Sequence, residues 1–111
     1  MAVKIRQLVA PSLVPNTNQT FYTCPANTKA VFRALSLHNS SAGNVTIEVW
    51  VVPTGQSAAN GYKIAKVTLA ANISQRLTEV EGLVLAEGDM LQTLGSVNGA
   101  SSIIGGGVEV T

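Results

Sequence analysis

Short runs of alternating apolar and polar residues, each closed by turn-forming residues, recur along the whole chain. Alternation marks a half-buried strand, because successive side chains of a strand point to opposite faces. The clearest case is Val45-Thr46-Ile47-Glu48-Val49-Trp50-Val51-Val52. Val45, Ile47, Val49 and Val51 share one face and are all β-branched, which suits a pleated surface. Thr46, Glu48, Trp50 and Val52 share the other. Read this way, strands are predicted over residues 3–9, 19–23, 29–38, 44–52, 62–69, 73–80, 90–97 and 102–110.

The connectors agree with that reading. Residues 39–44 form a polar turn between two long strands, a hairpin signal, and residues 53–61 form a longer loop. Glu87-Gly88-Asp89 turns the chain into the strand at Met90, and Val97-Asn98-Gly99-Ala100 is another hairpin candidate. No helical period lasts the roughly ten residues that a helix needs; residues 57–60 hold one turn at most. About eight short strands at regular spacing predict an all-β fold, a jelly-roll-like antiparallel β-sandwich. Spacing alone leaves the strand order open. The Gly105-Gly106-Gly107 run inside the last strand predicts a bend or a close backbone approach.

The first residues differ from the rest. Pro11-Ser12-Leu13-Val14-Pro15-Asn16-Thr17-Asn18 carries two prolines and several turn formers and reads as an extended connector. Residues 1–18 are therefore expected to be an N-terminal arm and residues 19–111 the sandwich domain. Such an arm either folds back as an edge strand or reaches to a neighbour, and the sequence leaves both open.

Composition sharpens the picture in one respect. Only 12% of the 111 residues are charged, against about 25% in typical domains. A chain that does not keep itself dispersed by charge often has much of its surface covered by neighbours. Seven Lys and Arg face six Asp and Glu, a net charge of +1, too balanced to capture nucleic acid electrostatically. No stretch of about 18 apolar residues is present to span a membrane as a helix. The start has two basic residues but no apolar run of signal-peptide length after them, so a protein made and kept in a cytosol, or carried out of one by something other than secretion, is expected.

Candidate chemistry is sparse, and no enzyme, metal or cofactor is expected. Cys24 is the one cysteine and His38 the one histidine, so neither a disulfide nor a metal pair can form within the chain. Cys24 reads as a small buried apolar residue and His38 as a surface or hydrogen-bonded residue at a strand end. Asp89, after Gly88, sits where Asp commonly closes a turn. Glu79 and Glu81 would point the same way on a continued strand, as a carboxylate pair does in acid–base catalysis, but a solvated strand end is the simpler reading. The glycine run lacks the Lys-Ser/Thr partner of a phosphate loop. Five aromatic residues, Phe21, Tyr22, Phe32, Trp50 and Tyr62, offer little for stacking on bases.

The segment Phe21-Tyr22-Thr23-Cys24-Pro25-Ala26-Asn27-Thr28-Lys29-Ala30-Val31 resembles the opening of a small β-domain common in bacteriophage structural proteins. There an aromatic strand meets a "P-A-x-T" turn and climbs into the next strand. The resemblance continues through Leu37-His38-Asn39-Ser40-Ser41, Val52-Pro53-Thr54-Gly55 and Leu83-Val84-Leu85-Ala86-Glu87-Gly88-Asp89-Met90-Leu91, and ends with Gly107-Val108-Glu109-Val110. It covers about residues 20–111. In length and in its bare arm the chain is most similar to the capsid decoration, cement or staple proteins of short-tailed phages, such as epsilon-type Salmonella phages.

That resemblance implies a structural virion protein, made in the host cytoplasm and bound on the outer capsid surface. There it would clamp neighbouring major capsid subunits, itself a dimer or trimer, without nucleic acid, membrane or cofactor. The residues expected to contact the capsid or a second copy are Lys4, Ile5, Arg6 and Leu8 on the arm, the strand-entry aromatics Phe21 and Tyr22, and Trp50. Aromatic residues are enriched at binding hot spots, although Trp50 packed in the second sheet or under the arm fits equally. Deleting residues 1–9 is expected to weaken binding without unfolding the domain. The alternative is a phage tail or receptor-binding sandwich that grips a surface carbohydrate through Trp50.

Overall fold

The computed structural model describes residues 2–111; Met1, the first residue of the expected arm, lies outside them. Nine strands follow one another: β1 (Val3–Val14), β2 (Gln19–Thr23), β3 (Lys29–Asn39), β4 (Val45–Val52), β5 (Lys63–Leu69), β6 (Ser74–Arg76), β7 (Val84–Leu85), β8 (Met90–Gly95) and β9 (Ser101–Val110). They form two antiparallel sheets. One runs β1-β9-β3-β6, with β7 also on β3; the other runs β2-β8-β4-β5. The chain changes sheet at every connection except β4–β5 and β6–β7. This is the jelly-roll order.

β6 and β7 together fill one strand position. β6 lies along residues 36–38 of β3 and β7 along residues 30–31. Between them the chain leaves the sheet for a single 3-10 turn, Thr78–Val80. Leu77, Val80 and Leu85 are all buried, so this stretch plugs one side of the sandwich with side chains rather than with a continuous ladder. That is why the strand expected over residues 73–80 is only three residues long.

The core lies between the sheets. Val45, Ile47 and Val49 of β4 face it, as their alternation requires, with Phe32, Leu35 and Leu37 of β3, Leu91 of β8 and Ile103 of β9. The inward positions of β9 include Gly105 and Gly107, and here the close approach is real. A Cβ on Gly107 would overlap the Val31 carbonyl oxygen and come within 2.9 Å of Leu8 Cδ1. β3 bulges at this point, between Phe32 and Ala34, and the absent side chains let β9 settle against the bulge.

Two turns work as the residues suggest. Asp89 Oδ2 accepts the backbone N–H of Ala86 at 3.0 Å. Asn27 takes a left-handed conformation, φ 55°, which asparagine tolerates better than most residues.

β1 differs from the expectation of a connector after residue 9. Residues 11–14 continue the strand along β9 as far as Val14, past register shifts between Arg6 and Val9 and between Val9 and Ser12. Proline is acceptable there because β1 is the outermost strand and its ladder is already irregular. Of the two arrangements left open for the arm, the structure has the fold-back. Leu8, Val9 and Val14 are buried in the core, so this segment is part of the domain's interior packing. Deleting residues 1–9 would therefore remove core side chains, contrary to the expectation that the domain tolerates their loss.

Candidate interaction surface

The strand registers set the surface of the first sheet. On the face turned away from the core, Ile5 of β1 lies opposite Val108 of β9, Val108 opposite Val31 of β3, and Val31 opposite Val84 of β7. The neighbouring row runs Val3–Val110–Lys29. Ile5 is 90% exposed, Val3 62% and Val84 59%. Single exposed aliphatic residues are ordinary, but here six lie side by side at cross-strand distance. Larger contiguous apolar patches are the kind of surface that binding sites use.

Farther along the same face polar and aliphatic residues mix: Ser36 lies opposite Ile104, and Ser102 lies between His38 and Leu13. His38 Nδ1 and Ser74 Oγ are 2.7 Å apart, the hydrogen-bonded strand-end role expected of that histidine. At the other end, Val110 also borders an open concavity of about 640 Å³ with Asn27, Lys29, Glu87 and Thr111.

Of the expected contact residues, Lys4, Ile5 and Arg6 are exposed. Arg6 is already engaged: its Nε lies 2.9 Å from Glu109 Oε1. Glu109 is buried, on the inward face of β9. Tyr22 reaches it from the other sheet, donating its hydroxyl to Glu109 Oε2 at 2.5 Å while its ring meets Phe32 edge-on at 5.6 Å. A buried carboxylate needs such partners. Burial, then the hydrogen bond to Glu109 and its charge, push the Tyr22 phenol well above its ordinary range. Tyr22 is thus a strut between the sheets. Phe21 is half-buried and packed against the core, and Leu8 is buried within it.

Trp50 is 8% exposed. It lies outside the main core, on the far face of β4, opposite Lys63 of β5 and Gln92 of β8. Lys63 Nζ sits 5.4 Å from its ring centroid and 2.6 Å from Glu48 Oε1. The cation–π contact and the ion pair hold the ring in place, which leaves it little area for stacking on a sugar.

The other candidate groups stay apart. Glu81 pairs with Arg76, and Glu79 accepts a hydrogen bond from Thr78 Oγ1 at 3.1 Å. Cys24 is buried, its thiol facing the Thr28 and Leu85 carbonyls at 3.3 and 3.5 Å, and burial raises its pKa. Among the described residues no three His, Cys, Asp or Glu side chains are grouped to hold a metal ion. Nor is any helix there long and apolar enough to cross a membrane.

Sequence reasoning missed the valines of the patch, Val31, Val84, Val108 and Val110. The alternation of Val3 and Ile5 with Lys4 and Arg6 was visible. The row they belong to exists only once the register across four strands is known.

No family model and no curated protein sequence matches the chain. Its fold does match solved structures. A protein of the Bacillus endospore appendages, described as disulfide-linked pili, superposes with a TM-score of 0.53 over 98% of this chain and 88% of its own, at 14% identity. A chain from the structure of infectious bursal disease virus, Gt strain, matches 97% of this chain and 32% of its own length, with a TM-score of 0.42 and 14% identity. The first of these shows a shared fold.

Proposed function

We propose that this chain is a structural protein that works by binding other protein surfaces: a phage capsid decoration protein that staples neighbouring major capsid subunits from outside. The observation that carries the reading is the aliphatic row Ile5–Val108–Val31–Val84 on the outer face of a sheet. The low charge of the whole chain supports it, and the phage setting rests on the sequence resemblance. On this reading the chain acts without catalysis. Its partners are the major capsid protein and other copies of itself, and its place is the virion surface. Cross-linking by disulfides, the device of the pili that share its fold, is not open to a buried Cys24.

A staple that touches two subunits gains from effective concentration, which can add about 10²–10⁴ in avidity. By binding only the assembled shell it stabilises that form by mass action. The experiment compares phage heads with and without the protein under heat and under chelation. Heads carrying it are expected to survive longer, and heads decorated with a Val84→Lys variant no longer than bare ones. Equal survival of decorated and bare heads overturns the reading.

A further inference from the structure

A sheet whose outermost strand has unpaired backbone groups can accept another strand, and β1 shows which kind. Ala2 and Thr111 exchange both backbone hydrogen bonds, at 3.0 and 2.9 Å. In an antiparallel ladder such pairs alternate with pairs whose N–H and C=O groups point away from each other. The register then makes Lys4–Glu109 and Arg6–Gly107 the bonded pairs. The backbone groups of Val3 and Ile5 point out of the sheet, on the side where β1 has no neighbouring strand. Farther along, Leu8 and Val9 turn inward at the bulge and Pro11 has no N–H to offer. The open stretch is therefore short, residues 3–7.

We propose that this stretch receives an extended strand of another protein whose side chains alternate aliphatic and acidic. The inference rests on the reading of the chain as a binding protein and names the chemistry of its partner. The partner is aliphatic on one face because Val3 and Ile5 stand at the open end of the exposed row. A strand added there places its own side chains about 5 Å from theirs and lengthens the row. It is acidic on the other face because the alternate positions, Lys4 and Arg6, are both cations. Glu109 offsets one of them, and Lys4 has no carboxylate within ion-pair distance among the described residues.

A second copy of β1 is a poor occupant. Antiparallel pairing centred on Ile5 sets Lys4 against Arg6, and pairing centred on Lys4 sets that lysine against itself. Like charges directly opposite each other are unfavourable. The residues that welcome an acidic strand thus turn away another β1, which is how exposed edges avoid self-association.

The test uses the full chain and two labelled, end-blocked peptides, Thr-Val-Glu-Val-Glu-Val-Thr and Thr-Val-Lys-Val-Lys-Val-Thr. Binding is read by fluorescence anisotropy and the site by amide hydrogen exchange. The acidic peptide is expected to bind about tenfold more tightly and to slow exchange at Val3 and Ile5. Ile5→Pro removes an outward N–H and no bond to β9, so it is expected to lose the peptide while keeping the thermal midpoint of the parent. Lys4→Glu, which leaves the backbone untouched, is expected to reverse the preference between the peptides. Equal affinity for the two peptides, protection confined to other amides, or a concentration-dependent dimer protecting Val3 and Ile5 overturns the proposal. If Ile5→Pro still decorates phage heads as the parent does, the edge proposal fails while the staple reading stands.

Discussion

Glu109 binds the two sheets together through its two oxygens, one facing Arg6 of its own sheet and the other Tyr22 of the opposite one. Hydrogen bonds to charged groups contribute about 1.5–3 kcal/mol, so Tyr22→Phe is expected to lower unfolding free energy by about that much in urea titrations. It should also change the response to alkali. The Tyr22 phenol is raised in the fold, whereas an unfolded tyrosine loses its proton near about pH 10. Its contribution is therefore full below that pH and declines above it, where only the unfolded chain releases the proton. The phenylalanine variant should lose less stability than the parent between about pH 9 and about pH 11; parallel losses would contradict the assignment.

Neighbouring glycines provide a second residue-scale check. A Cβ on Gly107 would collide with backbone, whereas on Gly106 the nearest atom is Arg6 O at 3.5 Å. Gly107→Ala should cost at least about 1–3 kcal/mol, the range for overpacking, and Gly106→Ala much less, both measured by denaturant unfolding. The glycine run was legible as a close approach. The partnership of Tyr22 with a carboxylate 87 positions away was not, since nothing local ties the two.

At the scale of elements, β1 has two jobs. Its buried residues complete the core and its odd-numbered start faces solvent. Leu8→Ala is expected to cost about 2–5 kcal/mol, seen as a lower denaturant midpoint, whereas Ile5→Ala should leave that midpoint unchanged. A similar loss at both positions would mean that the strand is not seated as described. β4 was legible because one face is core and its β-branched residues alternate without interruption. The end of β1 and the β6–β7 stretch were not. In the first, a proline that would break an inner strand is harmless on an edge. In the second, buried Leu77 and Val80 carry the strand-like pattern although their backbone has left the sheet. The same limit applies to the contact residues: alternation sets Ile5 and Leu8 on opposite faces without saying which face is core, and Val9, in phase with Ile5, is buried only because of the register shift between Arg6 and Val9.

At the scale of the molecule, the chain order of the strands and their order in space are at odds. β9, the last of the nine strands in chain order, lies between β1 and β3, and every other member of that sheet reaches β1 only through it. A polypeptide emerging from the ribosome must therefore carry β1 and β3 without their shared neighbour until β9 appears, and half the sandwich cannot assemble piecemeal. Long-range pairings of this sort make folding slow. A fragment ending at residue 100 is expected to remain unstructured by circular dichroism, and a synthetic peptide of residues 101–111 to restore the sheet when added. A fragment already folded alone would contradict this. Biologically, the domain has a single moment of commitment: β9 must be available before the first sheet can close.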